Sequence, residues 1–341
     1  MTQRQQIVIT RAGGPDVLKI KEDRLAAPEA NEVQVTVAAA GINFADILAR
    51  QGLYQDAPPL PCTVGYEVAG TVTQLGAAVP GEWLGRRVFG LTRFGGYASH
   101  VNVPLAQIFE MPESMDFQQA AAIPVNYLTA WQLLCVMGNL KASETLLIQN
   151  AGGGVGLALI DIGKQLGARL LGTASAGKHA FLHERGLDQA IDYTRGDWLA
   201  EVMHLTDGRG VELVTDPLGG DSWRKSLRAL RHTGRLGMFG VSEASANGVA
   251  GKLKLLKTAL KMPFIHPVSL MNENRGTFGV NMGHLWHEVD KIREWMDALL
   301  AGWQDGWVRP HVDRAFSFSE AGEAHAWIEA RRNIGKVLLV P

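Results

Sequence analysis

Residues 145–167 read TLLIQNAGGGVGLALIDIGKQLG, and the order of their parts decides the fold. Thr145–Gln149 is a short apolar strand, Ala151–Gly156 a turn of small residues, and Gly156–Leu166 a helix with apolar periodicity. A backbone bare of side chains lets a pyrophosphate approach, and amide N–H groups at a helix start favour its negative charge. The spacing A-G-G-G-V-G departs from strict G-x-G-x-x-G, so the loop alone also fits a turn made for packing. The strand before it and the helix after it tip the reading towards a dinucleotide. Outward from here, strands at Arg169–Thr173, Ala190–Tyr193, Val211–Asp216 and Gly234–Phe239 alternate with helices at Lys178–Arg185, Asp197–Leu205 and Asp221–Leu230. That alternation predicts right-handed crossovers and a doubly wound parallel sheet, an α/β fold covered on both faces.

The first third of the chain reads differently. Gln5–Thr10, Glu32–Ala39, Val64–Leu75 and Arg87–Val88 are β-branched runs between Gly and Pro clusters, with one helical piece at Phe44–Gln51. Beyond Arg275 come a helix (Glu288–Leu300) and a terminal strand (Lys336–Val340). Phe117–Leu140 has no formal charge and is long enough to span a bilayer. Its Gln118, Gln119, Pro124, Asn126 and Gln132 favour a buried helix at a domain junction instead.

Composition bounds the rest. A chain of 341 residues, 46 % hydrophobic and 20 % charged, is long enough for two domains and apolar enough to exclude extended disorder. Lys and Arg total 33 against 34 for Asp and Glu, so no global field draws in nucleic acid or acidic lipid, and neither partner is expected. The 39 glycines exceed the roughly 24 of average usage, pointing to tight turns and close backbone approaches. Cys62 and Cys135 are too few for a disulfide scaffold or a four-thiolate zinc site and read as buried free thiols. With no apolar run near Met1, a cytoplasmic location is expected.

The end of the second parallel strand bears on the choice of dinucleotide. An NAD site places Asp or Glu about 20 residues past the loop, on the ribose 2′-hydroxyl. Here Leu170–Ala180 reads LLGTASAGKHA, with no acid before Glu184. Ser175 offers a hydroxyl, Lys178 a cation and Tyr193 a phenol, which suit a 2′-phosphate and point to NADPH. Lys178 as a solvated helix-start lysine is the plainer alternative. Gly172–Lys178 also matches G-x-x-x-x-G-K, but His179 stands where Mg²⁺ binding needs Ser or Thr, so the match is coincidence.

The loop, the TASAGK segment and the β-rich first third together resemble the medium-chain dehydrogenase/reductase superfamily. The resemblance narrows to its zinc-free quinone oxidoreductase branch, close to the vesicle amine transport protein homologues. It covers essentially the whole chain. It is carried by Gly41–Tyr54 (GINFADILARQGLY), Pro59–Val72 (PLPCTVGYEVAGTV), Asn102–Pro104 (NVP), Ala121–Trp131 (AAIPVNYLTAW), Asn150–Gly156 (NAGGGVG), Gly172–His179 (GTASAGKH), Asp216–Gly220 (DPLGG) and Gly335–Pro341 (GKVLLVP). It implies a Rossmann domain (127–274) inserted into a GroES-like β-rich catalytic domain (1–126, resuming at 275–341), with the active site in the cleft between them. It also implies a homodimer paired through the sheet edge. Zinc-dependent relatives carry a Cys where Asn43 stands and a His where Tyr66 stands, before Glu67; an amide and a phenol are poor zinc ligands, so no metal is expected. His284 and His287 are not spaced as H-E-x-x-H and read as a helix-surface pair.

A reductase without a Lewis acid needs an acceptor that is already electron-poor, such as a quinone or an α,β-unsaturated carbonyl, and supplies orientation and hydrogen-bond donors. The donors expected are on Asn43, Asp46 and Tyr54. The resemblance places Asn43 beside nicotinamide and substrate; an Asx-turn role is the bland alternative. The N-x-x-D…Q-G-x-Y spacing also resembles mitochondrial-type enoyl thioester reductases, in which the tyrosine is the favoured proton donor. Tyr54 either protonates the product carbon or lines the pocket. For the cofactor, Ala151, Gly152, Gly153, Gly154, Val155 and Gly156 form the cradle. Thr129 is expected at the carboxamide, or as a helix cap. Gly240 and Val241 are expected under the ring, Phe278 over the cofactor, and Lys336 near the phosphates. Enoyl-thioester reduction and a non-catalytic NADPH-binding role are the rival functions. The basic, half-apolar segment Gly251–Phe264 is expected to form a cleft lid rather than a membrane contact.

Overall fold

The computed structural model describes residues 1–246 and 248–341, and only the main chain of 248–252. An antiparallel ribbon of β1 (Thr2–Ile9) and β2 (Leu18–Leu25) opens the chain. Then come β3 (Glu32–Gly41), α1 (Phe44–Arg50), β4 (Glu67–Leu75), β5 (Arg87–Leu91), β6 (His100–Pro104) and β7 (Ile108–Glu110). The valines of these strands turn inward, and Val33, Val35, Val68, Val72, Val88 and Val101 close on a common core. The chain leaves this lobe through α2 (Phe117–Ala121) and α3 (Pro124–Trp131).

The second lobe runs β8 (Thr145–Ile148), α4 (Gly154–Gln165), β9 (Arg169–Ala174), α5 (His179–Arg185), β10 (Gln189–Asp192), α6 (Trp198–Leu205), β11 (Val211–Asp216), α7 (Gly220–Ala229) and β12 (Leu230–Met238). It closes with α8 (Gly248–Lys261), α9 (Pro267–Glu273) and β13 (Gly276–Gly279). Among the described residues these strands form one six-stranded sheet ordered β10-β9-β8-β11-β12-β13, parallel throughout. That is a Rossmann-type sheet, and its strand order reverses beside β8, where the glycine loop leaves the strand. After α10 (Val289–Gln304), β14 (Val312–Ser317) and α11 (Ala321–Glu329), β15 (Lys336–Val340) pairs antiparallel with β3. The chain end thus returns to the GroES-like lobe, giving the order β14-β15-β3-β4-β5-β7.

Three expectations change. The parallel sheet extends past residue 274, because β13 adds to β12 in register Arg235↔Gly276. Residues 117–140 divide into α2, α3 and a π-helical turn, with Ala120, Leu128 and Leu133 in the core; among the described residues no helix is long and apolar enough to cross a membrane. In the basic segment, the side chains of Gly251 and Lys252 lie outside the described residues. Of the rest, Lys254 and Leu255 line the cleft, whereas Leu253, Leu256, Leu260 and Phe264 face outward. Cys62 is buried and Cys135 half-buried, both as free thiols, and burial pushes the Cys135 thiol up to about 11.

Candidate active site

A cavity of about 1460 Å³ lies between the lobes. At one end Gly153, Gly154, Val155 and Gly156 form its wall. A Cβ at Gly154 would sit 2.6 Å from the Asn126 amide, and one at Gly156 2.5 Å from the Ala151 and Asn150 carbonyls. These positions exclude side chains, and α4 turns its free N–H groups towards the cradle. Ala151 and Gly152 stand behind this wall: Ala151 is fully buried, and the Gly152 carbonyl accepts from Gly335 N at 2.9 Å.

Lys178 and Tyr193 line the same end. The Lys178 ammonium donates to the Asn333 carbonyl at 2.6 Å, and its stem lies against Gly152. Burial pushes its pKa below the ordinary lysine value. Ser175 is off the cavity wall; its carbonyl accepts from Lys178 N, which sets the turn that presents the lysine. Two buried amide atoms on the wall, Gln149 Nε2 and Gln132 Oε1, have no hydrogen-bond partner among the described residues. A side-chain-free cradle, a cation beside it and unspent amides fit a phosphorylated dinucleotide.

At the far end Asn43, the N-cap of α1, faces the cavity. Its Nδ2 donates to Glu67 Oε1 at 2.9 Å, and its Oδ1 accepts from Lys336 Nζ at 2.7 Å. Lys336 Nζ lies 2.5 Å from Glu67 Oε1, in a pair almost wholly out of water. Lys336 is therefore committed to Glu67 and Asn43, a correction to its expected place at the phosphates. Asp46 also departs from expectation. It is fully buried and off the cavity, accepting from Asn43 N (2.8 Å), Gly65 N (3.1 Å) and the Tyr97 hydroxyl (3.0 Å). A carboxylate with three internal donors and no route to the cleft is a positioning group.

Tyr54 and Tyr66 both line the cavity, with ring centroids 6.3 Å apart and nearly perpendicular. Burial pushes both phenols above the ordinary value. Thr129 and Asn126 reach the wall from α3, and Gly240 and Val241 from the end of β12. Phe278 does not: it sits in β13 opposite Gly237 and packs into the core, while Phe239 and Val280 occupy the wall. His284 and His287 are no helix-face pair, since His284 lies in a 3₁₀ turn and bonds Asp56 across the mouth at 2.8 Å. Glu67, Gln132 and Gln149 were missed as site residues, and only the Y-E pair inside VGYEVAG carried a local signal.

Two family profiles match the chain, one described as alcohol dehydrogenase GroES-like domain over residues 29–113 and one as zinc-binding dehydrogenase over residues 185–339. The synaptic vesicle membrane protein VAT-1 homolog of Rattus norvegicus is 36 % identical over 98 % of this chain and 83 % of its own length. A quinone oxidoreductase of Pseudomonas aeruginosa is 32 % identical over 99 % of both. The crystal structure of Escherichia coli quinone oxidoreductase complexed with NADPH superposes with a TM-score of 0.87 at 30 % identity, over 99 % of this chain and 100 % of that one. The chain belongs to the medium-chain dehydrogenase/reductase superfamily, in its quinone oxidoreductase-like branch.

The word zinc in one profile's description does not suit these residues. Where a ligand set would gather, the Asn43 amide is spent on Glu67 and Lys336, and the Lys336 ammonium is already the cation paired with Glu67. A second cation there would meet charge repulsion and a phenol in place of an imidazole.

Proposed function

We propose that this chain is an NADPH-dependent reductase delivering hydride to a quinone or an α,β-unsaturated carbonyl compound without a metal. One observation carries the reading: a single cavity joins the glycine cradle and Lys178 at one end to Asn43 and Tyr54 at the other. Its volume exceeds the roughly 300–1,000 Å³ of a single-ligand pocket, leaving room for an acceptor beside a dinucleotide. The relatives described as quinone oxidoreductases, one of them complexed with NADPH, support the same class.

Bound reduced nicotinamide supplies the hydride. The chain supplies the rest: the cradle and Lys178 fix the phosphates, Gly240 and Val241 leave a flat floor, and Phe239, Met282 and Trp286 shield the reacting face from water. The Lys336–Glu67–Asn43 knot holds its amide rigidly at the wall. The Lys336 ammonium is already paired with Glu67 and does not polarise the acceptor, so conjugation within the acceptor receives the charge. Loss of NADPH and of NADH absorbance, followed with quinones, enones and enoyl thioesters, tests this. Faster NADPH oxidation with quinones or enones is expected. Turnover of enoyl thioesters alone moves the assignment to that rival, and no turnover with any of them leaves a binding protein.

A further inference from the structure

We propose that Tyr66 donates the hydrogen bond that holds the acceptor's carbonyl oxygen. This deepens the reductase reading above and rests on it. Tyr66 is 9 % exposed and lies on the cavity wall, yet its hydroxyl, also buried, has no hydrogen-bond partner among the described residues. The neighbouring Tyr54 phenol helps raise its pKa, yet the two hydroxyls make no hydrogen bond of good geometry. The other deeply buried phenols are spent: Tyr97 donates to Asp46 at 3.0 Å and Tyr127 to Asp161 at 2.7 Å. A buried hydroxyl left unmatched costs stability, so a fold keeps one where something else meets it.

The ring is also fixed in place. Gly65 takes φ +106°, which suits glycine, and its N–H is held by Asp46 Oδ1 at 3.1 Å. Thr92 donates its hydroxyl to the Gly65 carbonyl and its N–H to the Tyr66 carbonyl, both at 2.7 Å. Phe94 supports one side of the ring, at 5.2 Å between centroids, and Tyr54 meets the other edge-on. These aromatic walls suit a flat conjugated acceptor. Burial raises the phenol's pKa, so it keeps its proton. When the hydride pair forms the new C–H bond, nicotinamide is oxidised and the displaced π pair collects on the acceptor oxygen. The Tyr66 O–H meets that charge, and a proton from solvent completes the product.

Tyr66→Phe tests this, with menadione as the probe. At saturating NADPH, kcat/KM for menadione is expected to fall on the order of 100-fold, the scale of one oxyanion donor, with KM for NADPH unchanged. Tm should hold or rise, because the deleted hydroxyl leaves no partner unpaired. Menadione binding to the protein–NADP⁺ complex, read by tryptophan quenching, should weaken roughly threefold to tenfold. Unchanged turnover and affinity overturn the proposal, as does a lowered Tm with unchanged turnover, which marks a structural hydroxyl. A wild-type protein that binds menadione through Tyr66 but never oxidises NADPH sinks the reductase reading and leaves the contact standing. A wild-type protein that neither turns over nor binds it overturns both.

Discussion

Burial pushes the Asp46 carboxyl up to about 7, against the pull of the Asn43 amide, the Tyr97 hydroxyl, the Lys336 charge and the Gly65 amide. Unfolded, it titrates near 3.8. Between those values the native chain holds the extra proton, so this group makes stability fall as pH rises, and the full cost is present above the window. From about pH 5 to about pH 8 that amounts to on the order of 2 kcal/mol. Thermal melts of Asp46→Asn should therefore show a flatter dependence of Tm on pH than wild type, and equal slopes would refute the assignment. Lys178 carries the second test at this scale. A charge-assisted contact from it to a 2′-phosphate would be worth about 1.5–3 kcal/mol, so Lys178→Ala should raise KM for NADPH about 10- to 100-fold and leave that for NADH nearly unchanged. Equal effects on both would count against the phosphate role. Local motifs were enough to expect Asn43, Tyr54 and Lys178 at the cleft, and all three line it. Asp46 was misread as catalytic because a capping carboxylate and an acid on the cleft share one spacing. Tyr66 was invisible as a donor because its significance lies in a partner it lacks.

Among the elements, the first turn of α4 and strand β15 make opposite demands on the sequence. At Gly156 an added Cβ would meet two backbone carbonyls at 2.5 Å, and backbone cannot give way, whereas at Gly177 it would meet open space. Gly156→Ala should abolish NADPH binding or folding, and Gly177→Ala should be silent in titration and melting; similar effects at the two sites would rule out the cradle. Strand β15 delivers Lys336 to the buried Glu67. Lys336→Met would leave that carboxylate uncompensated, at a cost of about 3–5 kcal/mol seen in denaturant unfolding. The parallel strands and the helices between them were readable from apolar runs and glycine punctuation. β2 was not: its sequence LKIKEDRL lies in a two-stranded ribbon with most side chains in water, so no alternation marks it. β13, only four residues long and carrying two glycines, likewise reveals itself only by pairing with β12.

For the whole molecule, the open question in the fold is that same edge. Among the described residues β13 pairs only with β12, so the six-stranded sheet ends on an unpaired row of backbone groups. Proteins seldom leave such an edge bare, since it templates pairing with another chain. In a parallel ladder alternate residues bond to the same neighbour, and Val280 N reaches the Met238 carbonyl, so Thr277 and Gly279 direct their N–H and C=O away from β12. Two copies meeting there about a two-fold axis would run one sheet through both and cover both edges. Light scattering should then give twice the 37.0 kDa chain mass. Thr277→Pro removes an outward donor while keeping the inward ladder, so it should shift the population towards single chains without unfolding the lobes. A wild-type protein that runs as a single chain at micromolar concentration, or a Thr277→Pro variant as dimeric as the parent, would place the contact elsewhere and leave β13 to be covered by some other surface.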